Sequence, residues 1–245
     1  MTFTDAPPSG GRTERRGEKL TAATQVYSAL KRDILNGALG PGEKLQIDQV
    51  AARYGAGTNP VREALNRLSA ERLVDREDQR GFRVPPLSLE HFRELVKTRC
   101  WLESLALEES IKNRTDAWED ELVLALHRLR RTPIRYADEV GDANGPRDNF
   151  AWEARHRAFH RALISNCGSG WLLHFCDELM DQVEPFRYIS MTNTYPRRDA
   201  DNEHQRILEA ALAGDAPLAA ERLVAQYQLT LRLFEEHVAS AAGSA

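Results

Sequence analysis

Two histidines, His156 and His160, stand four residues apart in the segment HRAFH. In an α-helix this spacing puts both imidazoles on one face, where they can share a metal ion. The same pair on an exposed helix can equally be without function. The residue after the first histidine is not the glutamate of an H-E-x-x-H motif, so the segment carries no indication of hydrolytic zinc chemistry.

A second set of chemically useful side chains lies further upstream and suits nucleic acid. Arg62 and Arg67 offer guanidinium groups to phosphates or guanine, and Asn59 and Asn66 offer amides able to pair with adenine. They lie on one side of a helix predicted over about 59–72. The opposite side is apolar and consists of Val61, Ala64, Leu65 and Leu68. The pattern predicts a groove-contacting helix; the alternative is an ordinary amphipathic surface helix.

The segments on either side of this helix also carry cationic groups. Lys44 and Arg53 precede it and are able to reach the phosphate backbone. Arg80 and Arg83 follow it and flank a turn. Gly81 in that turn has no side chain, so the backbone there can approach a minor groove closely.

A compact N-terminal unit is needed to position these residues. Apolar spacing and turn residues predict its elements. They are a helix from 21 to 36, a short helix over 47–54, the helix at about 59–72, and a β-hairpin of 73–74 and 82–84 around a charged turn at 75–81.

Everything after residue 87 has helical periodicity and no strand-like alternation. The predicted fold is mainly α: an N-terminal winged helix-turn-helix of three helices plus a β-hairpin wing, then an all-α six-helix effector bundle. The predicted divisions are a disordered tail at 1–18, the winged-helix domain at 19–86, the bundle at 87–240 and a second tail at 241–245. The six helices are expected at about 88–113, 116–139, 149–167, 169–191, 197–213 and 216–239.

The charge of the chain is divided unevenly between its two parts. Residues 1–84 carry 14 Lys and Arg against 11 Asp and Glu, whereas residues 85–245 carry 19 against 26. This division is expected if only the first part faces phosphates. The three cysteines have no C-x-x-C spacing, which favours reduced thiols. No run of eighteen apolar residues and no hydrophobic leader are present, so a cytoplasmic protein without membrane contact is expected.

The order of the N-terminal motifs resembles the winged-helix domain of the GntR family of bacterial transcription regulators. The matching segments are PGEKL, AARYG, NPVREALNRL, LV and RGFRV, spread over about residues 21–86. The resemblance implies a homodimer that binds a short palindromic operator in double-stranded DNA. It also implies that Arg62 contacts DNA and that Arg80-Gly81 forms the tip of the wing.

The chain departs from the family at the start of the recognition helix. The family usually has Ser-Arg-Thr before the proline, where this chain has Gly57-Thr58-Asn59. Thr58 therefore replaces the arginine that reads a base, and the operator is expected to differ from the usual one. Thr58 or Asn59 can still cap the helix, because either side chain can accept a backbone N–H.

The C-terminal domain resembles the FadR-like effector domain of this family, of the FCD type. The resemblance is carried by Arg99-x-x-x-Glu103, FHRAL at 159–163, and Glu203-His204 ahead of Gly214-Asp215. In metal-binding members an aspartate and three histidines surround a divalent ion. The corresponding positions here are His156, His160, His204 and Gln226.

The resemblance leaves two forms of this site open. His156, His160 and His204 can hold one Zn²⁺ or Ni²⁺, with water or an effector completing the coordination. Alternatively the pocket is metal-free, and its polar side chains, Gln226 included, hydrogen-bond the effector directly. Ser169 stands where the subfamily usually has an asparagine in contact with the ligand.

Arg99 also has two interpretations. A buried guanidinium can anchor an effector carboxylate through two hydrogen bonds. The alternative is an ion pair with Glu103 within the same helix. Together these features predict a regulator, in most such resemblances a repressor, whose operator affinity responds to a small carboxylate. In the second hypothesis the metal itself is the signal. No general base or nucleophile accompanies the histidines, so an enzyme is not expected.

Overall fold

A computed structural model describes residues 20–77, 81–134, 150–194 and 199–243, and all structural statements below concern these ranges. The described chain is mainly helical, which confirms the predicted fold class. Its helices are α1 (Ala22–Leu35), α2 (Ile47–Tyr54), α3 (Thr58–Ala70), α4 (Leu89–Lys112), α5 (Asp116–Arg130), α6 (Phe150–Ile164), α7 (Gly170–Thr194), α8 (Ala200–Leu212) and α9 (Ala216–Gly243). Its strands are β1 (Lys44–Leu45), β2 (Asp75–Glu77) and β3 (Gly81–Arg83).

The first three helices and the strands enclose a hydrophobic core of their own. Helix α1 begins after Thr21, whose hydroxyl accepts a hydrogen bond from the Thr24 amide at 3.2 Å. Helix α2 ends at Gly55, which adopts a left-handed conformation with a φ of 61°. The core consists of Val26, Leu30, Ile34, Leu39, Leu45, Val50, Val61, Ala64, Leu65, Leu68, Leu73, Val74, Phe82 and Val84.

The wing differs from the predicted hairpin in two ways. It is a three-stranded antiparallel sheet in the order β1-β3-β2, with Leu45 opposite Phe82 and Arg76 also opposite Phe82. The sequence did not predict β1, because two residues are too few to display alternation. The predicted strand at 73–74 was wrong: Leu73 and Val74 are buried in the core, and β2 begins after them.

The remaining helices form the predicted six-helix bundle around α4, which packs against α6, α7 and α9. Phe92 of α4 stacks on Phe186 with ring centroids 4.5 Å apart, and Phe234 of α9 meets both rings edge-on. On the other side, the indole of Trp118 in α5 donates to the Ala162 carbonyl at 2.9 Å. The bundle thus has a continuous core that holds α6, α7 and α9 around α4.

Two helix ends differ most from their predicted positions. Helix α5 was expected to continue to 139 but ends at Arg130, three residues before Pro133, whose ring cannot continue a helix. Helix α9 continues to Gly243, into the segment predicted as a C-terminal tail. The predicted tail at 1–18, and Arg80 in the wing, lie outside the described residues.

The winged-helix unit contacts the bundle through α1 and α7. Lys31 forms an ion pair with Asp181 at 2.5 Å, and the Gln182 side chain donates to the Glu71 carbonyl at 2.5 Å. The two units are therefore joined by charged and polar contacts as well as by the linker between them. Among the described helices, none has the length and apolar character to span a bilayer.

Candidate DNA-contacting surface and histidine cavity

The outer face of α3 carries the residues predicted to contact DNA. The inner face of the helix is buried in the winged-helix core, so the outer face is turned toward solvent. The exposed residues there are Thr58, Asn59, Arg62, Asn66 and Arg67.

The start of α3 is not capped as predicted. Gly57 is the N-cap residue, and no side chain makes a capping hydrogen bond. Thr58 and Asn59 are the first two residues of the helix itself, and Pro60 follows them in the first turn, where a missing N–H costs little. The prediction that Thr58 or Asn59 caps the helix was wrong, so neither side chain is used in that way.

Arg67 lies on a different flank of α3 from Arg62. Its guanidinium carbon is 4.0 Å from the centroid of the Tyr27 ring of α1, a cation–π contact. The Tyr27 hydroxyl donates to both carboxylate oxygens of Glu71, at 2.6 and 2.8 Å. Arg67 is therefore held on the side of the recognition helix that faces α1.

The other predicted DNA contacts lie around the wing. Lys44 is exposed on β1, and Arg53 at the end of α2 is also exposed, 3.9 Å from Glu43. The guanidinium of Arg83 is already hydrogen-bonded within the winged-helix unit: it donates to Glu77 at 2.6 Å and to the Gly42 carbonyl at 2.8 Å.

At the wing tip, Gly81 has a φ of 93°, a conformation that favours glycine. The structure thus brings Lys44 and Gly81 to the same sheet, because β1 and β2 both pair with β3.

The three predicted metal-binding histidines converge inside the bundle. His156 and His160 lie on α6 and His204 on α8, and each offers a nitrogen within 4.8 Å of the others. His160 and His204 are almost completely buried, and His156 is half-buried. The ring of Trp152, one turn before His156, stacks on it with centroids 5.0 Å apart. The helix spacing therefore places His156 and His160 side by side, and α8 brings His204 to them, as the resemblance implied.

These histidines line a small cavity. Its other walls include Arg99, Arg187, Gln226 and Tyr227. The space open to the centre of a water-sized sphere is about 20 Å³, which is enough for one water molecule or one ion. An organic acid of several carbons needs more room than this. Binding one therefore requires the cavity to open.

Arg99 makes the ion pair that was one of its two interpretations. Its Nε donates to Glu103 at 2.5 Å, and its Nη2 donates to the Tyr227 hydroxyl at 3.1 Å. The side chains of Arg99 and Glu103 are only 4% and 1% exposed, so this is a buried pair. Burial lowers the pKa of Arg99, but the Glu103 charge, the hydrogen bond to Glu103 and other neighbouring groups together more than offset this, so the pKa is raised and the guanidinium stays protonated.

Tyr227 connects this ion pair to the histidines. Its hydroxyl hydrogen-bonds to Glu103 Oε2 and lies 3.1 Å from His160 Nδ1. Burial, together with the Glu103 charge, raises the pKa of Tyr227 well above its usual value, so the hydroxyl keeps its proton. Sequence reasoning missed this residue, because Tyr227 and Glu103 are 124 positions apart.

The single hydroxyl proton of Tyr227 determines which group donates in its hydrogen bonds with Glu103 and His160. An ionised carboxylate only accepts hydrogen bonds, so the hydroxyl donates to Glu103. Toward His160 the hydroxyl can then only accept, which places a proton on His160 Nδ1. In a neutral imidazole this leaves the lone pair on Nε2, the nitrogen able to bind a metal.

The remaining predicted effector residues are placed differently from each other. Gln226 is buried on α9 and lines the cavity. Ser169 does not line it: its hydroxyl accepts from the Leu172 amide at 3.2 Å at the start of α7. Ser169 is thus an N-terminal capping residue, and its position gives no support to the predicted effector contact.

A chain of ion pairs leads away from the cavity wall. Arg187 forms ion pairs with Glu153 and with Glu184, the latter at 3.7 Å. Glu184 lies 3.8 Å from Arg157 of α6. Burial raises the pKa of Glu184 to about 7.

The same chain continues into the winged-helix unit. Arg157 binds Asp181 at 2.5 Å, Asp181 binds Lys31 of α1 at 2.5 Å, and Lys31 binds Glu71 at 2.8 Å. Glu71 is the C-cap residue of α3. Contacts between ionisable side chains therefore extend from the cavity wall to the end of the recognition helix, and Glu184 among them is only partly ionised near neutral pH.

Comparison with known proteins identifies two domains in this chain. The model of the bacterial regulatory proteins of the gntR family matches residues 22–84, and the FCD domain model matches residues 94–228. The second match alone covers more than half of the chain. The exposed α3 surface thus lies in the first matched range, and the histidine cavity lies in the second.

Individual relatives are similar over most of their length. The chain is 38% identical over 199 residues to the uncharacterized HTH-type transcriptional regulator BphR of Paraburkholderia xenovorans, covering 81% of this chain and 79% of BphR. It is 34% identical over 208 residues to the HTH-type transcriptional repressor GlaR of Escherichia coli, covering 83% and 91%. These relatives are DNA-binding regulators.

A solved structure shows the same fold. Escherichia coli McbR/YncC is 23% identical and superimposes with a TM-score of 0.72, covering 90% of this chain and all of that one. Sequence motifs, domain matches and fold agree, and the chain belongs to the GntR family of transcription regulators, in the FadR-like group that carries an FCD domain.

Proposed function

We propose that this protein is a homodimeric transcription repressor that acts in the bacterial cytoplasm. Its affinity for operator DNA would be controlled by a small carboxylate bound in the histidine cavity. The observation that carries this proposal is the series of contacts between ionisable side chains that connects the cavity wall with α3. DNA contact is assigned to the residues for which the sequence predicts it. They are Lys44, Arg53, Thr58, Asn59, Arg62, Asn66, Arg67, Arg80 and Gly81.

A divalent metal, Zn²⁺ or Ni²⁺, is proposed as part of the cavity. The donor set fits, because three imidazole nitrogens lie within 4.8 Å of one another and imidazole suits both metals. His156, His160 and His204 would hold the ion. When bound, it would supply a positive charge and an open coordination position for a carboxylate oxygen.

The size of the cavity suggests how an effector acts. About 20 Å³ accommodates one ion or water, so an organic acid must separate the walls to enter. Helix α6 carries His156 and His160 in the wall and Arg157 between them, which binds Asp181. Displacing α6 would therefore disturb the Asp181–Lys31 pair and shift the population of winged-helix orientations. A two-fold pair of recognition helices binds successive major grooves only in one orientation.

The test begins with operator fragments selected from genomic DNA by the purified protein. Sugar acids, hydroxy acids and dicarboxylates are then screened by thermal shift, and each hit is added to a gel shift. We expect at least one acid to raise the melting temperature and to lower operator affinity. Stabilisation by an acid without any change in DNA affinity would contradict control through the cavity.

A second candidate function is a metal-responsive regulator in which the ion alone is the signal. The small cavity favours it, because an ion fits without opening the walls. We expect purified protein to retain about one divalent ion per subunit, from the single described histidine cluster. Titrating Zn²⁺ or Ni²⁺ into chelated protein, with no organic acid, should change operator affinity under this hypothesis and leave it unchanged under the first.

A further inference from the structure

A second cavity lies between the winged-helix unit and the bundle, and it is called here the junction cavity. The space open to the centre of a water-sized sphere is about 560 Å³, against about 20 Å³ in the histidine cavity. Pockets that bind small organic molecules usually measure about 300–1,000 Å³. The junction cavity therefore has room for an organic molecule without any displacement of its walls.

Both units contribute apolar walls to the junction cavity. The winged-helix unit supplies the residues after α1, the residues after α3 and the start of the linker, and the bundle supplies the start of α4 and the middle of α7. The apolar residues are drawn from both hydrophobic clusters and include Leu39, Leu73, Val84, Leu87, Phe186 and Ile189. A molecule bound there contacts both clusters, so most of its surface has to be apolar.

Rigid rings make up much of the remaining wall. They belong to Pro41, Pro85, Pro86, Pro185, Phe186 and Tyr188. Tyr188 of α7 lies against Gly37 of the winged-helix unit, where an added Cβ atom would be 3.1 Å from the tyrosine ring. Walls built from rings lose little conformational entropy when a ligand packs on them. This lining suits a flat aromatic body better than a flexible chain.

The charged groups of the junction cavity favour an anion. Arg72, Arg76 and Asp75 are the charged residues among the described residues that line it, and all three are exposed. In the part of the chain that the structure describes, neither arginine is ion-paired with another side chain. A guanidinium at the edge of an apolar cavity can bind a carboxylate through two hydrogen bonds.

The backbone of Arg72 distinguishes it from the other described residues. Its φ is 58°, and it is the one described residue other than glycine with a positive φ. This conformation is disfavoured for an arginine, because the Cβ atom approaches the following carbonyl oxygen. Disfavoured backbone of this kind is concentrated at ligand-binding sites. At Arg72 it turns the chain from the end of α3 into the wall of the junction cavity.

We propose that the junction cavity is a second ligand site, which binds an aromatic carboxylate with its ring between the two hydrophobic clusters and its carboxylate on Arg72. The site goes beyond the proposed function, because it uses none of the histidines. Its walls belong to two units, so a bound molecule stabilises the relative orientation in which both units contact it. Binding there changes operator affinity independently of the histidine cavity.

Titration calorimetry with naphthoate and its neutral analogue naphthamide tests the class of ligand. We expect the full-length protein to bind naphthoate with a dissociation constant below about 1 mM, and naphthamide at least about tenfold more weakly. In Arg72→Asn the two probes should bind within about twofold of each other, because asparagine tolerates a positive φ but carries no charge. Arg232→Asn, on the exposed face of α9, is the matched control and should keep the preference. Equal binding of both probes by the unsubstituted protein would overturn the assignment to Arg72.

Two variants locate the bound probe. Ile189→Trp fills the junction cavity and should weaken naphthoate binding at least about tenfold, whereas His204→Ala should leave it within about twofold. Ile189→Ala cannot overfill the cavity and should weaken binding about threefold or more, which covers the case that the tryptophan variant fails to fold. Loss of binding in His204→Ala but not in the Ile189 variants would place the probe in the histidine cavity and overturn the junction site.

Gel shifts with the selected operator fragments test the effect on DNA binding. Saturating naphthoate should change operator affinity at least about fivefold, in His204→Ala as in the unsubstituted protein. An unchanged operator affinity would overturn the regulatory role of the junction cavity. No binding of naphthoate at about 1 mM would overturn the site itself and leave the proposed function of the histidine cavity standing.

Discussion

The recognition helix and the histidine cavity use the same cationic residue in opposite surroundings. Arg62 on α3 is exposed, whereas the Arg99 side chain in the cavity wall is 4% exposed and paired with Glu103. An exposed guanidinium stays hydrated until a phosphate replaces the water. A buried one must be compensated inside the fold, because an unpaired buried charge is costly.

This difference changes the role that Arg99 can have. The sequence allowed it to be an effector anchor waiting for a carboxylate, but Glu103 already supplies that carboxylate. Its charge instead holds the Glu103 carboxylate in place. That carboxylate accepts a hydrogen bond from the Tyr227 hydroxyl, and Tyr227 in turn orients His160. The groups proposed to contact DNA are thus left exposed, while the cavity groups are held in position by one another.

The largest effect is expected from breaking the buried ion pair. Glu103→Leu leaves Arg99 buried without its carboxylate, so the free energy of unfolding should fall by about 3–5 kcal/mol. Glu235→Leu is the matched control, because it removes an exposed pair with Arg93 at 2.8 Å. That change should cost less than about 1 kcal/mol. Chemical denaturation measures both, and equal losses would show that burial does not distinguish the two pairs.

The next effect concerns the exposed arginine. Arg62→Ala should weaken operator binding by about 1–3 kcal/mol, and the slope of the salt dependence should fall by about 0.9 for each phosphate that is no longer neutralised. Arg232→Ala, an exposed arginine on α9, is the control and should change neither quantity. Gel shifts at several salt concentrations provide the measurement. Unchanged affinity at every concentration would remove Arg62 from the DNA-contacting surface.

The hydrogen-bonded series Glu103–Tyr227–His160 in the cavity should change when the Tyr227 hydroxyl is removed. Tyr227→Phe removes the acceptor that holds the proton on His160 Nδ1, so affinity for Zn²⁺ should fall about 10–100-fold. Tyr54→Phe is the matched control, since its hydroxyl also donates to a carboxylate, Asp33 at 2.7 Å, but in the winged-helix unit.

Nitrogen NMR of the His160 ring gives a measurement that does not need metal. The wild type should carry its proton on Nδ1, and Tyr227→Phe should shift the proton toward Nε2. The same tautomer in both proteins would contradict the role of Tyr227 in setting the His160 proton, whether or not a metal binds.

The smallest effect is expected at Asp181, where the bundle contacts the winged-helix unit. Asp181→Asn removes the charge shared by Arg157 and Lys31, so the change in operator affinity caused by the effector acid, or by Zn²⁺ if the metal is the signal, should shrink by about 0.5–2 kcal/mol. Affinity for Zn²⁺ itself should stay within about twofold. Asp177→Asn is the control, because Asp177 pairs with Arg161 at 2.9 Å within the bundle. If both variants reduce the ligand-dependent change in operator affinity equally, the Asp181–Lys31 ion pair does not couple the cavity to the winged-helix unit.

Local patterns were sufficient for most of the fold. Helix α2 was predicted over its observed range because its apolar spacing and Gly55 are both local. The spacing of His156 and His160 also gave their shared face. The short strand β1 escaped prediction, because its pairing with β3 depends on residues almost forty positions away.

The cavity could be predicted only in part for the same reason. The resemblance brought His204 and Gln226 to the site, and both line it. It also brought Ser169, which caps α7 instead. Tyr227 could not be assigned, since its role depends on meeting α4 and α6 at once.

By itself the sequence determined the family, the helical class, the exposed face of α3 and the spacing of the α6 histidines. Each follows from short-range periodicity or from motif order, and both are properties of a linear chain. Only the tertiary structure decided which charges are already paired. Arg99 and Arg62 look alike in the sequence, but one is buried against Glu103 and Tyr227 and the other is exposed to solvent. The energy of a charge depends on its surroundings, and those surroundings exist only after the chain has folded.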